Sequence, residues 1–559
     1  MEVIYHFKMA GAQSVLKQAT RLAGKPFASI PGPPLYPVVG NLPQYIFGPF
    51  DRLKYQHALE SLHKEYGSLV KENLGGRTII HVFDPEDIKT VYSHEGKYPE
   101  IPPLQETTQL YRAQKEMSLG IGNTNGEEWY RLRSNAHHRM LRPKEVAFHL
   151  PSVNKIAQDF SKRLEGLKLG EFGEVTDLRT EIGRWNLETS GMLLFDKRLG
   201  CLDFDSKGEE FARKMVDANG IVFKLAGILK LSFPFYRHIT TPKWKQMVQH
   251  EDWMYAEAIR LVEEAITELK EEVDNDTIYD RGLSERFYFL NYLLSRQELS
   301  VKDVTVICLS VFLDGLSTTS PSLLFCLYCM ANNPRAQEKV FAEIVKVVGD
   351  NPNIPITTRH IARLPYLKAF IKETFRMWPN GTEVSRYTDK DMVLSGYEIP
   401  AGTHVDLNPM VHFRNPQVFV EPDQFIPERW IREQKETEDE LKDRSPYEVV
   451  KSTDKMEEES ITLNNVDEKE EKKALLEFEK HSLAASNAHP FLFTPFGHGT
   501  RMCAGRRFAE QQLVVVLATL VRRFNMSYPF GESMAQVYHT LLFPDRPVRV
   551  ILSKRNHSS

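Results

Sequence analysis

The sequence predicts a mainly α fold with a small β-rich lobe, on three observations. Apolar residues recur at helical spacing from about residue 51 to 380. Three short runs instead have strand character, Ser68–Leu74, Arg77–Phe83 and Val393–Ile399. Residues 301–330 form one long apolar helix with a polar cluster at its centre, Asp314-Gly-Leu-Ser317-Thr318-Thr319-Ser320-Pro321. The 559 residues can bury a large core, and 42% hydrophobic with 26% charged is ordinary globular composition. A net charge of −4 gives no basic excess, so nucleic acid is not an expected partner. Five scattered cysteines, at 201, 308, 326, 329 and 503, argue against a disulfide scaffold and fit a reducing compartment.

Taken in chain order, residues 1–28 carry Lys8, Lys17, Arg21 and Lys25 against one acid, Glu2, with hydroxylated residues between. Basic, hydroxylated and acid-poor is the composition of a mitochondrial presequence; a cytosolic tail is the competing reading. The stiff Ile30-Pro-Gly-Pro-Pro-Leu-Tyr-Pro37 marks the start of the globular body. A membrane-spanning role for 301–330 is disfavoured, because the polar cluster would be costly in lipid. Pro321 cannot donate to the carbonyl of Ser317, so a local distortion is expected there. Cys326 and Cys329 share an apolar face and belong to the core. Leu367–Trp378 is a helix stopped by Pro379, and Phe508–Phe524 is another. Between them, Arg432–Lys480 holds ten Lys/Arg and seventeen Asp/Glu. That balance cannot pack a core, so 432–487 is an acidic surface insert.

The most informative segment is Phe496-Gly-His-Gly499-Thr-Arg501-Met-Cys503-Ala-Gly505-Arg506-Arg507, which opens the last helix. Its glycines permit a tight loop and close approach to the backbone. A thiol at 503 faces helix N-terminal amides and arginines, which favour thiolate, a soft axial ligand for heme iron. A buried structural cysteine and a catalytic thiol are the alternatives. Zinc lacks a Cys-x-x-Cys pair with histidines, and c-type heme lacks Cys-x-x-Cys-His. Glu373 and Arg376 lie three apart on one helix face and can pair, and Arg429 in Phe425-Ile-Pro-Glu-Arg429-Trp430 could share the same carboxylate. Trp129 and Arg133, four apart, suit an anionic group.

In this order the segments resemble the cytochrome P-450 superfamily of heme-thiolate monooxygenases, from about Ile30 to the C-terminus without the insert. The resemblance implies the cytochrome P-450 fold as a single domain over 29–559, one heme b, and Cys503 as the iron ligand in a loop shaped by Phe496, Gly499 and Gly505. It implies Glu373, Arg376 and Arg429 as a buried charge triad, and Trp129, Arg133, Arg386 and Arg501 as partners of the heme propionates. Glu95-Gly-Lys-Tyr-Pro99, Asn125-Gly-Glu-Glu-Trp129 and Arg506-Arg507 are similar to the mitochondrial clan. Its members take electrons from an acidic ferredoxin, itself reduced by an NADPH-dependent reductase. Lys368, Lys372, Arg506 and Arg507 match the docking positions. The clan implies a protein peripheral to the matrix side of the inner mitochondrial membrane. It acts with O2 on a lipophilic, steroid- or sterol-like molecule, here between Pro99–Gly120, Phe223–Phe233 and Val384.

The central helix departs from the family. Thr318 is in place, and the resemblance implies that it orders water for oxygen activation. Serine at 317 replaces an acid, and Asp314 stands where a small residue is usual. Asp314 could feed protons through Ser317 and Thr318, or contact a substrate hydroxyl while water near Ser317 and Thr319 carries the protons, or turn away. The missing acid also keeps open a heme-thiolate isomerase or dehydratase without external electrons. A non-enzymatic heme-binding protein is the third reading. The acidic insert could compete with ferredoxin for the same cations, or be a solvated loop.

Overall fold

The longest apolar stretch, Val301–Asn332, folds as two helical segments in line, Val301–Ser317 and Thr319–Asn332. The computed structural model describes residues 24–103, 105–274, 287–431 and 488–555. The stretch is apolar enough to cross a membrane by composition, but most of it is buried in protein. The break falls at Thr318, with φ −125° and ψ −63°, three residues before Pro321, as the missing donor requires. Asn380 Nδ2 caps the exposed Thr318 carbonyl at 3.0 Å, and the Ser322 hydroxyl adds a second bond at 2.8 Å.

Each half of this central helix organises one core. The second half packs with Leu150–Gly166, Leu178–Phe195 and Arg506–Arg523, burying Cys326, Cys329, Phe160 and Leu513–Val521 together. The first half packs under Lys207–Lys230 and Pro242–Asp274, burying Cys308 and Phe312. Gly315 permits close crossing with Leu178–Phe195, since a Cβ there would sit 2.6 Å from the Asn186 amide oxygen. The helix break therefore lies on the seam between two cores.

The β lobe is a four-stranded sheet in the order β1-β2-β7-β4, formed by Leu69–Leu74, Arg77–Val82, His404–Leu407 and Val384–Tyr387. β1 and β2 form a hairpin across Gly75-Gly76, both at positive φ, where glycine carries no Cβ penalty. Antiparallel pairing of β4 with β7 sets Arg386 opposite Val405. The run Val393–Ile399 is not one strand. It is a hairpin of β5, Met392–Leu394, and β6, Tyr397–Ile399, because Ser395 and Gly396 turn the chain at φ 46° and 80°. Asp87 steadies the turn by accepting from the Ser395 amide at 3.0 Å.

Helix limits shift slightly from expectation. The helix expected over Leu367–Trp378 spans Pro365–Met377, and that expected over Phe508–Phe524 spans Arg506–Arg523, Phe524 opening the strand Phe524–Ser527. The body extends upstream of residue 29: the Lys25 amide donates to Gly396 O at 2.8 Å, and its carbonyl accepts from Glu398 N at 2.9 Å. Residues 1–23 of the expected presequence and the acidic insert, 432–487, lie outside the described residues.

Candidate active site

Cys503 differs from every other cysteine of the chain. Cys201, Cys308, Cys326 and Cys329 are buried, whereas the Cys503 side chain is accessible although the fold surrounds it. Its loop closes when the Cys503 amide donates to Phe496 O at 2.9 Å, with Gly497 and Gly499 at φ 70° and 75°. A Cβ on Gly505 would lie 3.9 Å from the sulfur, and one on Gly499 would strike the Glu95 carboxylate at 2.6 Å. Phe496 stands against Phe375 and Arg506, with the Arg506 guanidinium 5.6 Å from its ring centre. Burial pushes the thiol up, while the amides of Gly505 and Arg506 and the charge of Arg133 pull toward thiolate. Burial prevails, so a cation at the sulfur, rather than the loop alone, would be what holds it as thiolate.

Three guanidiniums converge beside it. Trp129 is buried on the helix Gly126–Leu141, and Arg501 lies 3.9 Å over its ring. Arg501 also donates to Pro99 O at 2.8 Å and Asn125 Oδ1 at 2.7 Å. Arg133, one turn beyond Trp129, donates Nη2 to Met502 O at 2.7 Å, but its buried Nε has no partner among the described residues. Arg386 reaches in from β4 and donates to Glu95 Oε1 at 2.5 Å. Burial pushes Arg501 down to about 9, and its neighbours Arg386 and Arg133 add to the shift. An orphaned donor and mutually repelling buried cations call for an anion. The two carboxylates of a heme fit this set. Glu95 is a partner of Arg386 that its place in the Glu95–Pro99 motif did not disclose.

Glu373, Arg376 and Arg429 meet between the helix Pro365–Met377 and the short turn Pro427–Trp430. Arg376 meets Glu373 through Nε at 3.0 Å and Nη2 at 2.7 Å, and Arg429 Nε meets Oε1 at 3.0 Å. All three side chains are fully buried. The Trp430 indole at 2.8 Å and the Ile426 amide at 2.9 Å fill the remaining acceptor sites of Glu373. Arg376 Nη1 donates to the carbonyls of Phe413 and Pro422, so the triad also ties down the segment leading to residue 431.

On the seam of the central helix, Asp314 and Thr318 are accessible, one turn apart, on the side facing Cys503. Ser317 is buried. Its hydroxyl and that of Thr318 both bond back to the Asp314 carbonyl, at 3.1 and 2.7 Å. The Asp314 carboxylate accepts from neither. Burial pushes it up to about 6, opposed by Arg112. The structure thus brings Asp314 and Thr318 together and leaves Ser317 out of line between them. Arg112, from the helix Glu106–Gln114, carried no signal in the sequence beyond its position in an apolar segment.

The remaining cations gather at the N-terminal end of Arg506–Arg523. Arg506 and Arg507 lie 2.9 and 3.9 Å from Glu510, and the charge of Lys368 also feels Glu510. Lys372, one turn on from Lys368, is exposed. Glu510 carried no signal in the sequence.

A mainly helical fold with an accessible cysteine at a helix start, framed by arginines, defines a cysteine-ligated heme site. The cytochrome P-450 family model matches residues 30–450 and 470–552, and the chain belongs to that family. It is therefore a heme-thiolate monooxygenase, carrying heme b on a cysteine thiolate. The chain is 40% identical to "probable cytochrome P-450 CYP44" of Caenorhabditis elegans, over 93% of this chain and 92% of the relative. It is 28% identical to the mitochondrial sterol 26-hydroxylase of Rattus norvegicus, over 94% and 89%. It is 26% identical to the mitochondrial 1,25-dihydroxyvitamin D(3) 24-hydroxylase of Mus musculus, again over 94% and 89%.

Proposed function

We propose that this enzyme inserts one oxygen atom from O2 into a steroid- or sterol-like molecule, with electrons from NADPH delivered by a ferredoxin. In this reading Cys503 holds the iron, and Arg133, Arg386 and Arg501, with Trp129 behind them, hold the propionates. The bound heme supplies oxygen activation. Around it, the residues of the chain would fix the cofactor and hold the Thr318 hydroxyl on the wall facing Cys503. The observation that carries the assignment is Cys503, the one accessible cysteine of five, across the interior from the break in the central helix. Replacing Cys503 by Ser should abolish the thiolate-type ferrous–CO band while leaving the protein soluble. An unchanged band in that variant sinks the assignment.

Ferredoxin as donor is supported by Lys368, Lys372, Arg506 and Arg507 standing together, and mitochondrial placement by the named relatives and the composition of 1–28. Peripheral attachment to the inner membrane has its own support. Leu35, Tyr36, Val38, Phe47, Phe235 and Ile239 are exposed, Val38 at 95%, and Phe233 links Phe47 to Phe235 through ring contacts of 6.5 and 6.0 Å. Ser317, in place of an acid, is the one feature that favours an isomerase needing no electrons. Oxygen uptake that follows substrate in a ferredoxin-reconstituted system separates the two.

A further inference from the structure

The wall opposite Cys503 carries a polar group of side chains for which the heme and the ferredoxin have no use. Asp314 presents an accessible carboxylate that accepts no hydrogen bond from any described residue. Arg112 is buried; it donates Nε to the Tyr255 hydroxyl at 2.6 Å and Nη1 to Leu119 O at 2.6 Å. Its Nη2 meets no acceptor among the described residues. Behind it, on Pro242–Asp274, Glu251 is buried and, among the described residues, accepts only from Thr108 Oγ1, at 3.3 Å. A Cβ on Gly120 would lie 2.9 Å from Arg112 Nη1 and 3.7 Å from Ser310 Oγ, so Arg112 packs against the central helix one turn before Asp314, and the group draws on three helices.

Isolated buried charges are costly, and this cluster is only half satisfied by protein. Its parts specify what completes it. An ammonium would meet Asp314 and Glu251 but be repelled by Arg112. A carboxylate would meet Arg112 but be repelled by both acids. A hydroxyl accepts from Arg112 and donates to Asp314, using both open positions at once. Four residues along the helix place this anchor about 6 Å from the level of Thr318, so it would hold a remote alcohol rather than the reacting carbon.

We propose that Asp314 and Arg112, backed by Glu251 and Tyr255, anchor an alcohol already present on a lipophilic substrate. The inference rests on the steroid-like reading above. It deepens that reading to a class: a hydroxylated molecule, oxidised at a second position.

The test uses the holoenzyme and four probes on one skeleton: 5α-androstane and its 17β-hydroxy, 17β-amino and 17β-carboxy derivatives. Dissociation constants come from heme spin-state titration and, independently, from equilibrium dialysis. The alcohol should bind at least about tenfold more tightly than the hydrocarbon, a charge-assisted hydrogen bond's worth. In Asp314→Asn and in Arg112→Gln that preference should fall below about threefold, with hydrocarbon affinity and the ferrous–CO band unchanged. If Arg112→Gln misfolds, Asp314→Asn decides alone. Equal binding of alcohol and hydrocarbon by wild type, tightest binding of the acid or amine, or a preference intact in Asp314→Asn overturns the anchor while the steroid-like reading stands. Binding of none of the four removes that reading and the anchor with it.

Discussion

At the scale of single residues, this protein places charge where the interior gives it little water, and each case is compensated differently. Glu373 is fully buried, and two guanidiniums, an indole and an amide saturate its carboxyl oxygens. Removing one partner of such a set leaves uncompensated charge, at a cost of about 3–5 kcal/mol. Glu373→Gln should therefore fail to accumulate holoprotein or melt far below wild type, measured by thermal denaturation followed at the heme band. Asp314 is the opposite case. Its carboxyl is raised from the ordinary 3.8 to about 6, so any stability it gives is present below pH about 4 and is lost as pH rises through 6. Asp314→Asn should gain more melting temperature relative to wild type at pH 7.5 than at pH 4.5. Equal differences at the two pH values would contradict that environment for Asp314.

At the scale of elements, two helices decide the chemistry. Arg506–Arg523 aims its first amides at the sulfur and, at the same end, displays Arg506 and Arg507 beside Lys368. Glu510 on the same helix partly neutralises them. Reversing Lys368 and Lys372 to Glu should weaken ferredoxin binding by about tenfold or more at low salt, and the deficit should shrink as salt screens the surface. Glu510→Gln should strengthen binding under the same conditions; surface plasmon resonance across a salt series checks both. The central helix was legible as a distorted apolar helix, because a proline in a helix interior has a local consequence. The β5–β6 hairpin was not, since Val393–Ile399 contains no Asn-Gly or Asp-Gly turn pair. There Ser395 takes the left-handed position, supported by the distant Asp87.

At the scale of the whole molecule, chain segments far apart in sequence share surfaces. Residues 35–47 and 233–239 form one exposed apolar face, seen only after folding. Val38→Asp with Phe47→Asp should reduce co-sedimentation with phosphatidylcholine–cardiolipin vesicles severalfold without changing the heme spectrum. Unchanged co-sedimentation would rule the face out as the attachment site. Cofactor chemistry was readable in the linear chain because it depends on residues crowded within a dozen positions, Phe496 to Arg507. Helical spacing made the Glu373–Arg376 pair equally plain.

What local order could not supply is which side chains meet across the interior. The pairing of Arg386 with Glu95 joins residues 291 apart, and the cluster of Arg112, Glu251, Tyr255 and Asp314 joins three helices. Spacing rules act over a few residues, whereas such meetings are set by how the two cores and the sheet pack against one another. The primary structure was enough to specify a heme-thiolate monooxygenase. Tertiary packing decides what faces its substrate, because only the folded chain fixes which charges are left without water or partner.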